Sequence, residues 1–264
     1  MAVTEILISN LSELIARATP TEPDPRTGRL RDSGVYRGAS SAAWPLLTSL
    51  DTLGGVSPPH AKADLEEHIL RNFIRYSRPY FGSQPVNEWE VLVAAQHHGL
   101  PTRLLDWTYS PLVAAHFATV GPGGSDRAVW RLDWKAVHRR FDLPELALLI
   151  QDLEETFSGE HPFTPWTLFA DERGRREFAC MIEPPSLDAR IVAQAATFTL
   201  CSEKRQPFDR FLERHGLGSA LTKFVIPAGE VGRLRDQLDL VSVDERRLFP
   251  DLDGLADHLR RYYS

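Results

Sequence analysis

Apolar and polar residues along this chain repeat with two different periods, and the switches between them mark its elements. Residues 4–18 follow a helical period and predict a short amphipathic helix. Residues 20–31 are polar and rich in proline, as a linker or surface loop would be. A short β-type run follows at 34–40 and stops at Gly38. After Pro58 and Pro59, Leu65, Ile69, Phe73 and Tyr76 recur at helical spacing. Asn87 caps a further predicted helix, which Gly99 and Pro101 end. Residues 102–107 read as a strand, and Ser110 followed by Pro111 is a strong helix start running to about Thr119.

Beyond a Gly/Pro turn at 121–126, residues 127–134 alternate as a half-buried strand does. Residues 135–175 are helical or irregular and broken by Pro144, Pro162 and Pro165, which suggests an insertion or lid over one face. Residues 177–185 and 189–200 predict two further strands. A helix at 207–216, a strand at 221–227 and a helix at 229–238 come next. The end of the chain carries a turn at 250–254 and a last helix. Strands interrupted by helices without regular βαβ spacing predict an α+β fold. The expected organisation is an N-terminal helix and linker over 1–31 and one domain over 32–264.

Composition narrows the partners. Among 264 residues, 30 Lys and Arg face 36 Asp and Glu, a net charge of −6, so no global attraction to nucleic acid or anionic membrane is expected. Two cysteines, Cys180 and Cys201, make neither a disulfide framework nor a zinc site. No signal peptide and no membrane span is expected, which predicts a cytoplasmic protein without membrane partners.

The chemistry-bearing residues cluster in QHHGLPTRLLDWTYSPLVAAHFA, residues 96–118. His97 and His98 are adjacent, so they point about 100° apart on a helix and cannot share a metal; no metal is expected. They suit a helix C-terminus, where a cation is favoured. Thr108 and Ser110 open a helix whose free N–H groups attract anions, or simply close the turn and cap it. Asp106 holds Arg103 or accepts from a sugar hydroxyl. Tyr36-Arg37-Gly38 puts a guanidinium fork at a strand end, as a phosphate clamp or a surface ion pair. Arg71, Arg75 and Arg78 form a local basic run that reads as a solvated face or a nucleic-acid contact. On a strand, Arg190 and Gln194 would share a face and line a cleft. There is no GxGxxG, P-loop or GxSxG.

These motifs also carry a resemblance. Tyr36-Arg37-Gly38, the 96–118 stretch, the Arg190-x-x-x-Gln194 spacing and LFPDLDGLA at 248–256 resemble the FRG-domain family, grouped with the ADP-ribosyltransferase-like superfamily. The resemblance implies split, twisted β-sheets around an NAD cleft, with flanking helices. It further implies an NAD-consuming glycosyl transfer to a macromolecular acceptor, whether protein, RNA or DNA, in a toxin or phage-defence effector. It aligns Arg37 with the first strand of that superfamily, Asp106 to Ser110 with the second, and 190–198 with the third. The third strand there bears a catalytic Glu, which this chain lacks. The expected catalytic set is therefore His97, Asp106 and Gln194. The expected NAD contacts are Tyr36, Arg37, Gly38, His98, Arg103, Thr108, Ser110 and Arg190. A non-catalytic module that binds ADP-ribose, a nucleotide or a nucleic-acid end is the alternative.

Overall fold

A computed structural model describes residues 2–25, 27–30, 32–53, 62–80, 87–121, 124–157, 162–170, 177–186, 189–203 and 206–263. In chain order, strand β1 (Thr4–Leu7) and helix α1 (Leu11–Ala18) lead to β2 (Val35–Ala39). The short α2 (Ser49–Thr52), the long α3 (Lys62–Ser77) and α4 (Glu88–His97) precede β3 (Leu105–Thr108). Then come α5 (Pro111–Thr119), β4 (Arg127–Leu132), α6 (Trp134–Arg140) and β5 (Leu148–Leu149). Helices α7 (Ile150–Phe157) and α8 (Pro165–Ala170) are followed by β6 (Ala179–Glu183). Helix α9 (Ala189–Ala193), β7 (Ala196–Cys201), α10 (Phe208–Arg214) and β8 (Leu221–Ile226) come next. The chain closes with α11 (Val231–Leu240), α12 (Glu245–Leu248) and α13 (Leu252–Tyr262). The fold is α+β.

The strands form one open sheet in the order β1-β8-β4-β2-β3-β7-β6-β5. Its outermost pairs, β1 with β8 and β5 with β6, are parallel; the inner ones are antiparallel. The joint in the middle is weak. Strand β2 matches β4 over five residue pairs but meets β3 at one, Tyr36 opposite Thr108. The sheet is thus two four-stranded halves diverging from a single rung.

Side chains of β2 and β4 alternate between two hydrophobic clusters, which must therefore lie on opposite faces. Val35, Trp130 and Leu132 join Trp89, Trp107 and Phe163 on one face. Tyr36 and Val129 join Ile8, Leu14, Ala114 and Phe224 on the other. On the second face α5 lies directly against β2, because Gly38 has no side chain. A Cβ there would stand 2.2 Å from the Ala114 carbonyl oxygen and 2.4 Å from the Ala118 nitrogen. The alanines of α5 meet the strand at the same narrow separation.

Local signals held where local chemistry decides. Asn87 accepts from Glu90 N and starts α4; Ser110 accepts from Val113 N and starts α5 with Pro111 in its first turn. Three expectations fail. Residues 4–18 are a strand and a helix, because Thr4–Leu7 pairs in parallel with β8 at the sheet's edge. Residues 189–200 are a helix and a strand: Gln194 N bonds back to Arg190 O, and Ala195, at φ +46°, turns the chain into β7. The turn at 250–254 is shorter than expected, since Asp251 caps α13 through Gly254 N. The 135–175 segment, expected as an insertion or lid, places Leu153, Phe163, Leu168 and Phe169 in the core, and Trp89 Nε1 donates to Phe163 O at 3.0 Å. Pro58, Pro59, residues 122–123 of the Gly/Pro turn and 171–175 lie outside the described residues. No described helix is long and apolar enough to cross a membrane.

Candidate functional site

Where β2 and β3 part, the carbonyl of Asp106 needs a partner. Continuing the register from Tyr36 and Thr108 would set Gly38 opposite Asp106. Arg37 takes that place instead: its Nη1 donates to Asp106 O at 2.8 Å and lies 3.5 Å from Asp106 Oδ2. Among the described residues Arg37 makes these contacts through Nη1 alone, leaving Nε and Nη2 without a protein partner. The Asp106 carboxylate is 54 % exposed there and the Arg37 side chain 26 %.

The Asp106 side chain is held from behind by α4. Gln96 Nε2 donates to Oδ1 at 3.0 Å and to Oδ2 at 2.9 Å. Thr102 Oγ1 donates to Gln96 Oε1 at 2.6 Å, which fixes the amide the right way round, and itself accepts from Leu104 N at 3.1 Å. Thr102, Gln96, Asp106 and Arg37 therefore form one ordered relay from the buried end of α4 to the point where β2 and β3 part. Sequence reasoning quoted Gln96 but did not select it. The available signal was an amide directly after the apolar run Val91–Ala95 of α4, where a buried polar group needs partners. His97 and His98 follow it at the end of α4, their rings edge to face at 5.2 Å.

Other expected contacts face elsewhere. Arg103 is in the core: Nε and Nη2 bind Glu66 Oε2 at 2.8 and 2.6 Å, and the guanidinium covers the Phe169 ring at 4.6 Å. The pair is almost wholly buried and Arg103 is not paired with Asp106; its side chain lines a cavity with Thr48, Asp51 and Lys62 instead. Thr108 Oγ1 donates to Gln194 O at 2.7 Å and accepts from Ser110 N at 3.0 Å, tying β3 to the start of β7. Ser110 is used as the α5 cap. The Tyr36 ring is buried under α5 and its hydroxyl donates to Asp32, which also pairs with Arg131. Burial, then Asp32, raises the Tyr36 phenol well above its ordinary range, so it stays protonated. Burial opposes the Asp32 charge, but hydrogen bonds from Arg131 and Tyr36 hold its carboxyl below the usual carboxylate value.

Arg190 and Gln194 do not share a strand face. Arg190 stacks on Phe249 at 4.7 Å, and Gln194 Nε2 donates to Leu248 O at 3.0 Å. Phe249 in turn meets Phe117 of α5 edge-on at 6.1 Å. Gly254 is what lets that segment fold tightly, since a Cβ there would be 2.0 Å from Phe249 O. The Arg-x-x-x-Gln and LFPDLDG motifs are thus two halves of one contact that pins the C-terminal helices to α5. A carboxylate that sequence reasoning missed stands near the start of β7. Glu183, at the end of β6, accepts from the Tyr109 hydroxyl at 2.5 Å, and Tyr109 N bonds to Ala195 O. No spacing rule links residues 109 and 183; only the sheet does.

Two histidines are structural. His138 Nδ1 faces Pro144 O at 2.6 Å, so it carries the proton, and Nε2 accepts from Met181 N at 2.8 Å. Burial lowers its pKa. His116 of α5 is pushed down to about 4 by burial and by the nearby Arg235 guanidinium. Among the described residues no cluster of three His, Cys, Asp or Glu is arranged to hold a metal ion.

The residues at the opening lie within one recognisable stretch. The family model of the FRG domain matches residues 32–127, from Asp32 beneath Tyr36 to the first residue of β4. No curated protein and no solved structure matches the chain. The matched stretch contains Arg37, Gly38, Gln96, Thr102 and Asp106, and over those residues the chain is similar to the FRG domain.

Proposed function

We propose that the protein is a cytoplasmic NAD-dependent ADP-ribosyltransferase-like enzyme whose cleft lies between the two half-sheets. The observation that carries this reading is Arg37 at the mouth of the single-rung joint, held by Asp106, with β2, β3 and β7 adjacent in the order the resemblance implies. Arg37 would bind the pyrophosphate of NAD through Nε and Nη2. The bond from ribose C1′ to the nicotinamide nitrogen breaks with its electron pair leaving on nicotinamide, and positive charge builds on the sugar. An acceptor atom of a macromolecule then bonds to C1′. Asp106 or His97 takes the acceptor's proton, Asp106 being oriented for it by Gln96. In a cell such transfer would act as a toxin or a phage-defence effector.

The test is nicotinamide release from NAD with protein, RNA, DNA or water as acceptor. Release by the parent protein and none by Arg37→Ala supports the reading; no release with any acceptor overturns it. A second reading, a module that binds ADP-ribose or a nucleotide without transfer, is favoured by one observation. Gln194, at the position where the superfamily has a carboxylate, is occupied with Leu248. A melting temperature raised by NAD or ADP-ribose, without release, would select it.

A further inference from the structure

The C-terminal end of α3 presents a surface that the cleft does not use. Arg71 and Arg75 stand one turn apart on α3, about 6 Å along its axis, and Arg78 opens the 3-10 turn Arg78–Tyr80 that continues it. All three are exposed, and so are Tyr76 and Tyr80, at 63 % and 86 %. The Arg75 guanidinium lies 5.1 Å from the Tyr76 ring centre. Arg71 makes an exposed pair with Glu67 at 3.3 Å, the kind of contact that contributes little. Among the described residues Arg75 and Arg78 have no carboxylate partner. On α3 itself the acidic residues Asp64, Glu66 and Glu67 lie in the first half of the helix, and Glu66 is bound by Arg103.

A helix C-terminus favours cations, and that alone would explain the arginines. It does not explain two tyrosine rings left in water beside them. We propose that Arg71, Arg75, Tyr76, Arg78 and Tyr80 bind single-stranded nucleic acid, the guanidinium groups taking phosphates and the rings stacking on bases. Positive charge alternating with open aromatic rings is the combination that single strands require. A duplex keeps its bases stacked and would use only the charges. An anionic membrane would likewise leave the rings' flat faces without a stacking partner. The net charge of −6 makes the patch a local exception on the chain, so binding depends on these residues and falls steeply with salt. This proposal does not rest on the NAD reading, and its test contains no NAD.

The experiment is fluorescence anisotropy with labelled RNA and DNA strands of about 20 nucleotides, between about 50 and about 200 mM salt. The parent protein should bind, and Arg75→Gln/Arg78→Gln should lose two phosphate contacts, reducing the salt slope by about 1.4. Tyr80→Ala should weaken binding roughly tenfold, while Tyr80→Phe keeps the ring and the affinity. Arg260→Gln, exposed on α13, should bind as the parent does. The relative strength of the RNA and DNA arms identifies which strand is preferred. The proposal fails if the parent protein binds neither strand, or if the Arg75/Arg78 and Tyr80→Ala variants bind like it. It also fails if a duplex, or vesicles containing phosphatidylserine, bind more tightly than the single strands. Melting temperatures of the variants confirm that they are folded; Arg75→Ala/Arg78→Ala replaces the Gln pair, and Tyr80→Leu replaces Tyr80→Ala, where one is not.

Discussion

Gly38 of β2 and Ala114 of α5 approach so closely that the strand's α-carbon rests against the helix's carbonyl. The contact is backbone on backbone, and neither side can give way by rotating a side chain. Gly38→Ala should therefore destabilise by about 3 kcal/mol, at the upper end for overpacking, or prevent folding. Gly232→Ala in α11, where nothing lies within 4 Å, should stabilise by about 0.5–1 kcal/mol. Urea unfolding of both variants checks the contrast.

The Arg103–Glu66 pair predicts a stability effect where a ligand contact would predict none. Glu66→Ala strands a buried guanidinium and should destabilise by about 3–5 kcal/mol. Replacing both residues together, as Glu66→Leu with Arg103→Met, should lose much less, because no charge is left unpaired. A double-mutant cycle by chemical denaturation measures this directly.

Acid should loosen the molecule before its carboxylates protonate. His116 and His138 have pKa values lowered by burial, so the unfolded chain binds protons that the folded one refuses. Their contribution is present above the unfolded value of about 6.5 and is lost as pH falls, for His116 down to about 4. Each accounts for about 1.4 kcal/mol per pH unit inside its window. Stability measured by urea unfolding between pH 7 and pH 5 should fall accordingly. His138→Gln should start lower and respond less to pH.

Gln96 orients Asp106, and changing its charge should move a titration. Gln96→Glu sets a second carboxylate at hydrogen-bond distance from the first, so the pair releases its protons in two steps and the upper one rises. If Asp106 accepts the proton in transfer, the acid limb of the nicotinamide-release profile should shift upward, with the rate at neutral pH reduced at least tenfold. An unchanged profile would remove Asp106 from that role.

What could be read from the sequence divides by the distance over which each feature is decided. Asn87, Ser110 and Pro111 act within four residues, and their helices begin where the spacing says. Strand β1 depends on a partner at Thr222–Val225, so its helical period misled. The period-2 reading of Arg190 and Gln194 failed because Ala189–Ala193 is helical and the left-handed turn at Ala195 comes only before β7, which no pattern of side chains announces. Arg103, in the loop before β3, looked available because Glu66, the residue that consumes it, lies far back in the chain on α3. Arg37 and Asp106 were selected from the same kind of argument, and the structure brings those two together.

The lone rung between Tyr36 and Thr108 also has a mechanical meaning. Two plates joined by one stitch can change their angle while each keeps its own ladder intact. The ladder gives out there, but the hydrophobic layer on one face does not: Val35, Trp130 and Leu132 of one plate share a cluster with Leu105, Trp107 and Phe198 of the other. The plates are stitched once by the backbone and backed by a common core, and Arg37 is the clasp on the seam between them.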